Sequence, residues 1–244
     1  MHDSLAGIST LKFLLVLAAT GVVVAAVGAG GLLALGLALG PDLALAHDAV
    51  IFMVAVSTAC IPLPLYWMIV IRARVPLEAL GWHGAPRRYV MLAVAVAFGY
   101  LLAGTLVYRA AGLEEALDSY LREDFIQYFG AAGPDPLRML AFLLVVGPLA
   151  AIAEELFFRG FIFGWLRRRM RAWTAAGISA AVFAAVHFHF LVPGGVLGAA
   201  AATDIFVTGL LLAWLYQASG SLVPPIVMHA VNNMTIILFV ALAA

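Results

Sequence analysis

The chain has 244 residues, 65% of them hydrophobic and 11% charged, with a mean hydropathy of +1.09. Soluble domains are roughly 45–50% apolar and about 25% charged, so the composition is that of a membrane protein. Thirteen basic and thirteen acidic residues cancel, so net charge points to no nucleic-acid partner, and a single cysteine, Cys60, excludes an intramolecular disulfide or a thiolate metal cage.

A helix needs about 20 apolar residues to cross a bilayer. On that measure the sequence offers about seven spans: Leu11–Leu39, His47–Ile71, Tyr89–Tyr108, Met139–Leu166, Trp173–Phe190, Val196–Tyr216 and Leu222–Leu242. The fold class read from them is all-α, a polytopic transmembrane helix bundle with a polar intramembrane cavity, forming one integral membrane domain over residues 1–244. The first run is long and rich in glycine (Gly28, Gly30, Gly31, Gly36), which predicts a broken or steeply tilted helix. The LALA stretch before His47 loosely resembles a signal-peptide cleavage site. Its apolar run far exceeds the roughly 7–15 residues of a cleaved signal, so it is read as a span.

Basic residues orient the bundle. Arg72, Arg74, Arg87 and Arg88 fill the second connection and Arg167, Arg168, Arg169 and Arg171 the fourth, which places both on the cytoplasmic side. The third connection mixes Glu114, Glu115, Asp118, Glu123 and Asp124 with Arg109, Arg122 and Arg138, and is read as facing outward. Its LEEALDSYL stretch has helical amphipathicity, closed by Pro134 and Pro136.

Ionisable groups inside a membrane are costly, so each is a functional candidate. The fourth span carries Glu154, Glu155 and Arg159 in AEELFFRG. Glu155 and Arg159 stand four apart with the acid first, the favourable order for a helical ion pair. Glu154 lies about 100° around the helix, which leaves one carboxylate partnered and one available. The fifth span carries His187, one turn after Phe183, and the seventh carries His229 and Asn233, also one turn apart. A lone histidine in such a helix is commonly an interhelical hydrogen-bonding group. A carboxylate, two imidazoles and an amide on three helices suffice for water-based hydrolysis, one pair activating water and the other stabilising an oxyanion. His189 is read as an interfacial histidine near Pro193. Asp204 is an intramembrane carboxylate without an evident partner or role.

These residues carry a family resemblance. Glu154-Glu155 with Arg159 forms EExxxR, Phe183 with His187 forms FxxxH, and His229 with Asn233 forms HxxxN. In this order, and with ELFFRGFIF and GLLLAWLYQASGSLVPPIVMHAVNN around them, they resemble the CPBP family of CAAX prenyl endopeptidases and bacteriocin-processing or immunity proteins, the abortive-infection family. The resemblance spans a core of residues 139–237. It implies an intramembrane endopeptidase with a cavity open to the cytoplasmic side, Glu154 and His187 activating water, His229 and Asn233 forming the oxyanion site, and Glu155, Arg159 and Phe183 in support. It implies no cofactor, a membrane-associated protein or peptide as substrate and the lipid bilayer as surroundings, while the short loops and Ala/Gly-rich, compact chain point to a multi-pass location in a prokaryotic cytoplasmic membrane. The competing readings are a zinc-dependent peptidase on Glu154, His187 and His229, although HExxH is absent, and a non-catalytic immunity factor or scaffold. A transporter is disfavoured by the lack of an internal repeat.

Overall fold

The computed structural model describes residues 5–39, 43–130, 133–187 and 194–243, all helices and connections. In chain order the helices are α1 (Thr10–Leu39), α2 (Leu43–Cys60), α3 (Pro62–Leu65), α4 (Arg87–Ala110), α5 (Glu114–Phe129), α6 (Pro136–Leu144), α7 (Ala150–Glu155), α8 (Gly164–Arg167), α9 (Ala172–Val186), α10 (Gly195–Ser219) and α11 (Val223–Ala243). Among the described residues six stretches are long and apolar enough to cross a membrane: Thr10–Gly31, Ile51–Ile71, Arg87–Ala110, Pro136–Arg167, Gly195–Ser219 and Val223–Leu242. The chain is a multi-pass membrane protein. In the bilayer every backbone N–H and C=O must find its partner inside the protein, and a helix meets that demand within one segment. Large side chains such as Leu11, Phe52, Leu102, Leu106 and Phe239 are exposed along these helices, where lipid replaces a protein core.

The first expected span resolves one open alternative, and the fifth takes a different form. The glycine-rich first run is not broken: α1 is continuous over 30 residues, because an unpaired backbone in hydrocarbon costs more than the helix penalty of its glycines. Some of those glycines serve contact with α2. A Cβ on Gly31 would fall 2.0 Å from the Met53 Cε, and one on Gly28 would touch Ser57. The fifth run yields only α9, 15 residues long. Residues 188–190 of that run, His189 among them, lie outside the described residues.

The fourth span is a composite. Between α6 and α7, Val145–Leu149 is π-helical and contains Pro148; between α7 and α8, Leu156–Phe163 is π-helical as well. Proline has no N–H to donate to the preceding turn, and a π segment accommodates that loss by shifting the ladder one residue. Asp135 caps the start of this span, its side chain accepting from the Leu137 and Arg138 amides.

One end of the bundle is tied together by polar contacts from distant parts of the chain. The Trp165 indole donates to the Ile8 carbonyl at 2.9 Å, and Arg169 donates to the carbonyls of Ala6 and Ile8. The Tyr216 hydroxyl donates to the Leu80 carbonyl, the Leu222 amide to the Gly81 carbonyl, and the Ser221 hydroxyl to the His83 carbonyl. Gly81, at φ 85°, makes this packing possible, since a Cβ there would lie 2.4 Å from the Tyr216 ring. A Cβ on Gly160 would sit 2.9 Å from the Leu80 carbonyl and Phe163 packs edge to face on Tyr216, so the two arginine-bearing connections share one end. At the other end, α5 closes on α2, α6 and α11 through Ile51, Phe125, Phe129, Phe142 and Val240.

Candidate active site

The site is assembled from α7, the π segment after it, α9, α10 and α11. Glu155 and Arg159 are fully buried, with Arg159 Nη1 donating to Glu155 Oε1 at 2.7 Å. The same Oε1 accepts from His229 Nδ1 at 2.9 Å, so one carboxylate oxygen joins the fourth span to α11. Arg159 Nη2 donates to the Gly209 carbonyl of α10 at 3.2 Å. The guanidinium also lies 4.4 Å from the centre of the Phe183 ring, a cation–π contact shielded from water. Arg159 thus gathers groups from α7, α9 and α10.

Glycines make these approaches possible. A Cβ on Gly209 would sit 2.9 Å from Ala180 Cα on α9, the close helix contact that small residues permit in membranes. A Cβ on Gly147 would sit 2.6 Å from Met234 Cγ, so the π segment bearing Pro148 lies directly against α11.

His187 is placed by the end of its helix. The His187 amide bonds to the Ala184 carbonyl at 3.1 Å, a tightened last turn, and His187 leaves helical geometry at φ −92°, ψ 32°. The Phe183 carbonyl, unused by the backbone at this terminus, accepts from the His187 ring at Nδ1, 2.7 Å away. With the proton fixed on Nδ1, Nε2 is left as an acceptor. It lies 3.6 Å from Glu154 Oε2. On the other side, His229 Nε2 lies 3.9 Å from the same oxygen. Phe183 packs 4.5 Å from the His187 ring and 5.9 Å, edge to face, from the His229 ring.

Glu154 Oε2 is buried and makes no hydrogen bond of its own. The structure therefore brings together Glu154, His187 and His229 from three helices, and gives Glu155 and Arg159 to each other. Asn233 is placed differently. Its Nδ2 donates to the Val146 carbonyl at 2.9 Å, inside the π segment before α7. His229 and Asn233 share a face of α11, yet one grips Glu155 and the other the backbone beside Pro148. Two contributors were not foreseen: the carbonyls of Gly209 and Val146. Backbone acceptors leave no mark in a motif of side chains, and the only sequence cue was the interior Pro148. Among the described residues no set of three His, Cys, Asp or Glu side chains is arranged to hold a metal ion.

Comparison with known proteins bears on the same helices. No curated protein and no solved structure matches the chain. Residues 136–235, from the start of α6 to beyond Asn233, match the family of type II CAAX prenyl endopeptidases described as Rce1-like. That stretch, less than half of the chain, holds every residue of the Glu154 cluster, and over it the chain is similar to that family.

Proposed function

We propose that the protein is an intramembrane endopeptidase in which Glu154 and His187 activate a water molecule. The observation that carries this reading is Glu154 Oε2: buried, without a hydrogen bond, and flanked at 3.6 and 3.9 Å by Nε2 atoms from two other helices. A water there donates one hydrogen to Glu154 Oε2 and the other to His187 Nε2, which keeps a lone pair for attack. As the oxygen attacks the scissile carbonyl, Glu154 takes up a proton, and it passes that proton to the departing amine nitrogen.

The developing oxyanion needs donors. His229 is held at Nδ1 by Glu155, and its Nε2, 3.9 Å from Glu154 Oε2, is the atom placed to donate to the oxyanion when it carries a proton. Asn233 joins as the second donor when substrate draws its amide from the Val146 carbonyl, and until then it holds the π segment in register with α11. The substrate is a membrane-associated protein or peptide, and the arginine-bearing end faces the cytoplasm, as the concentration of basic charge there supports.

The test compares membrane proteomes and new N-termini in cells expressing the wild-type chain and Glu154→Gln. Proteins that stay uncut only in the variant are the substrates, and an unchanged cleavage pattern overturns the proposal. No metal takes part in this scheme. Stoichiometric zinc in the purified protein, with cleavage lost to a chelator, would instead make Glu154, His187 and His229 its ligands.

A further inference from the structure

Asp204 is a carboxylate inside a membrane-spanning helix that the proposed chemistry does not use. It is partly buried on α10, and the Tyr100 hydroxyl of α4 donates to its Oδ1 while lying 2.8 Å from its backbone carbonyl. Thr208, one turn further along α10 and buried, faces the same phenol. A charge-bearing group is expensive here, so its retention calls for a reason.

The surroundings supply one. Gly209, next to Thr208, presents the carbonyl that holds Arg159. Through Arg159 the position of that carbonyl reaches both histidines: by Glu155 to His229, and by the Phe183 ring to His187. The α4 helix in turn packs on α11, the helix of His229, with Ala93 and Ala97 in one cluster with Met228, Leu212 and Leu215. The three helices form a closed triangle. Its α10–α11 side is the Gly209–Arg159–Glu155–His229 chain, its α11–α4 side is the alanine–methionine packing, and its α4–α10 side carries the Tyr100–Asp204 bond. The apolar side fixes distance but permits sliding along the helix axes, whereas a hydrogen bond from a rigid phenol fixes axial position.

We propose that Tyr100 and Asp204 are positioning residues of the active site: their hydrogen bond sets the axial register of α10, and so the place of the Gly209 carbonyl that holds Arg159. The inference rests on Glu154 acting as the base. The pair touches no reacting atom, so its loss misplaces the histidines without changing which groups do the chemistry. A misplacement of about 1 Å from a remote change is enough to cost roughly a hundredfold in rate.

The experiment uses the full chain in lipid vesicles, with the substrate found by the Glu154→Gln comparison. Tyr100→Phe and Asp204→Leu should lower kcat by about ten- to a hundredfold with KM within about twofold. Asp204→Asn keeps a carbonyl acceptor for the phenol and should restore most of kcat. A second reading is independent of turnover. The 15N resonance of the His229 ring, assigned by its loss in His229→Asn, should move in Tyr100→Phe and stay in place in Asp204→Asn. Wild-type kcat in Tyr100→Phe, or Asp204→Asn as poor as Asp204→Leu, overturns the proposal. If Tyr100→Phe does not fold, the Asn-versus-Leu comparison at Asp204 decides alone. Glu154→Gln runs alongside. If it is active, the hydrolytic mechanism has failed; if it is inactive while Tyr100→Phe is normal, only the positioning role has.

Discussion

Removing the carboxylate of Glu154 and removing the guanidinium of Arg159 should leave different signatures. Glu154 Oε2 makes no hydrogen bond that the substitution would break, so Glu154→Gln should abolish cleavage while expression and thermal stability stay near wild type, measured by melting in detergent and by turnover of an identified substrate. Arg159→Ala leaves Glu155 buried beside His229 without its counter-ion. Breaking a buried pair from one side costs about 3–5 kcal/mol, so this variant should melt earlier as well as lose activity. Asn233→Ala should now do more than remove an oxyanion donor, which alone costs about 100- to 1000-fold in rate. It also frees the Val146 carbonyl, so a loss of stability of about 1–3 kcal/mol should accompany the loss of rate. A rate defect with unchanged melting would mean that the Val146 contact carries no weight. At this scale the sequence made the polar residues legible, because an ionisable group in an apolar run stands out. The tautomer of His187 was not legible, since it depends on where α9 stops.

Among helices, the distinction that matters is between glycines that meet a neighbour and glycines that face open space. Gly209→Ala would press a methyl group to 2.9 Å of Ala180 Cα, and backbone cannot step aside. Overpacking of this kind costs about 1–3 kcal/mol, and here it also displaces the carbonyl that holds Arg159, so both melting temperature and kcat should fall. Gly99→Ala and Gly104→Ala on α4 meet nothing within 4 Å and should be neutral or mildly stabilising in the same melting assay. Equal losses at Gly209 and Gly99 would refute this account. Hydropathy read most of the spans correctly because length and apolarity are summed over many residues. It placed the first span over α1 but left open whether the glycines break it, which depends on the contacts that Gly28 and Gly31 make with α2. It could not see the π segments, because proline marks a lost donor without saying how the backbone recovers.

On the scale of the whole bundle, the close approach of Gly160 to Leu80 and the contacts of Phe163 with Tyr216 and Tyr216 with Leu80 gather the two arginine-bearing connections at one end. In a Cys60→Ala background, cysteines placed at Arg74 and Arg168 should therefore be labelled from the same side of sealed vesicles, and a cysteine at Glu115 from the other. Labelling of Arg74→Cys and Arg168→Cys from opposite sides would contradict the fold, while labelling of both from outside the cell would reverse its orientation only. Helix α9 starts at this end, and its 15 residues rise about 22 Å against a hydrocarbon layer of about 30 Å. With its first turn at headgroup level, its last turn and His187 would lie within the hydrocarbon layer. If Glu154 and His187 act as proposed, lengthening the acyl chains of the surrounding lipid would strain a helix too short to follow, and with it the histidine at its tip.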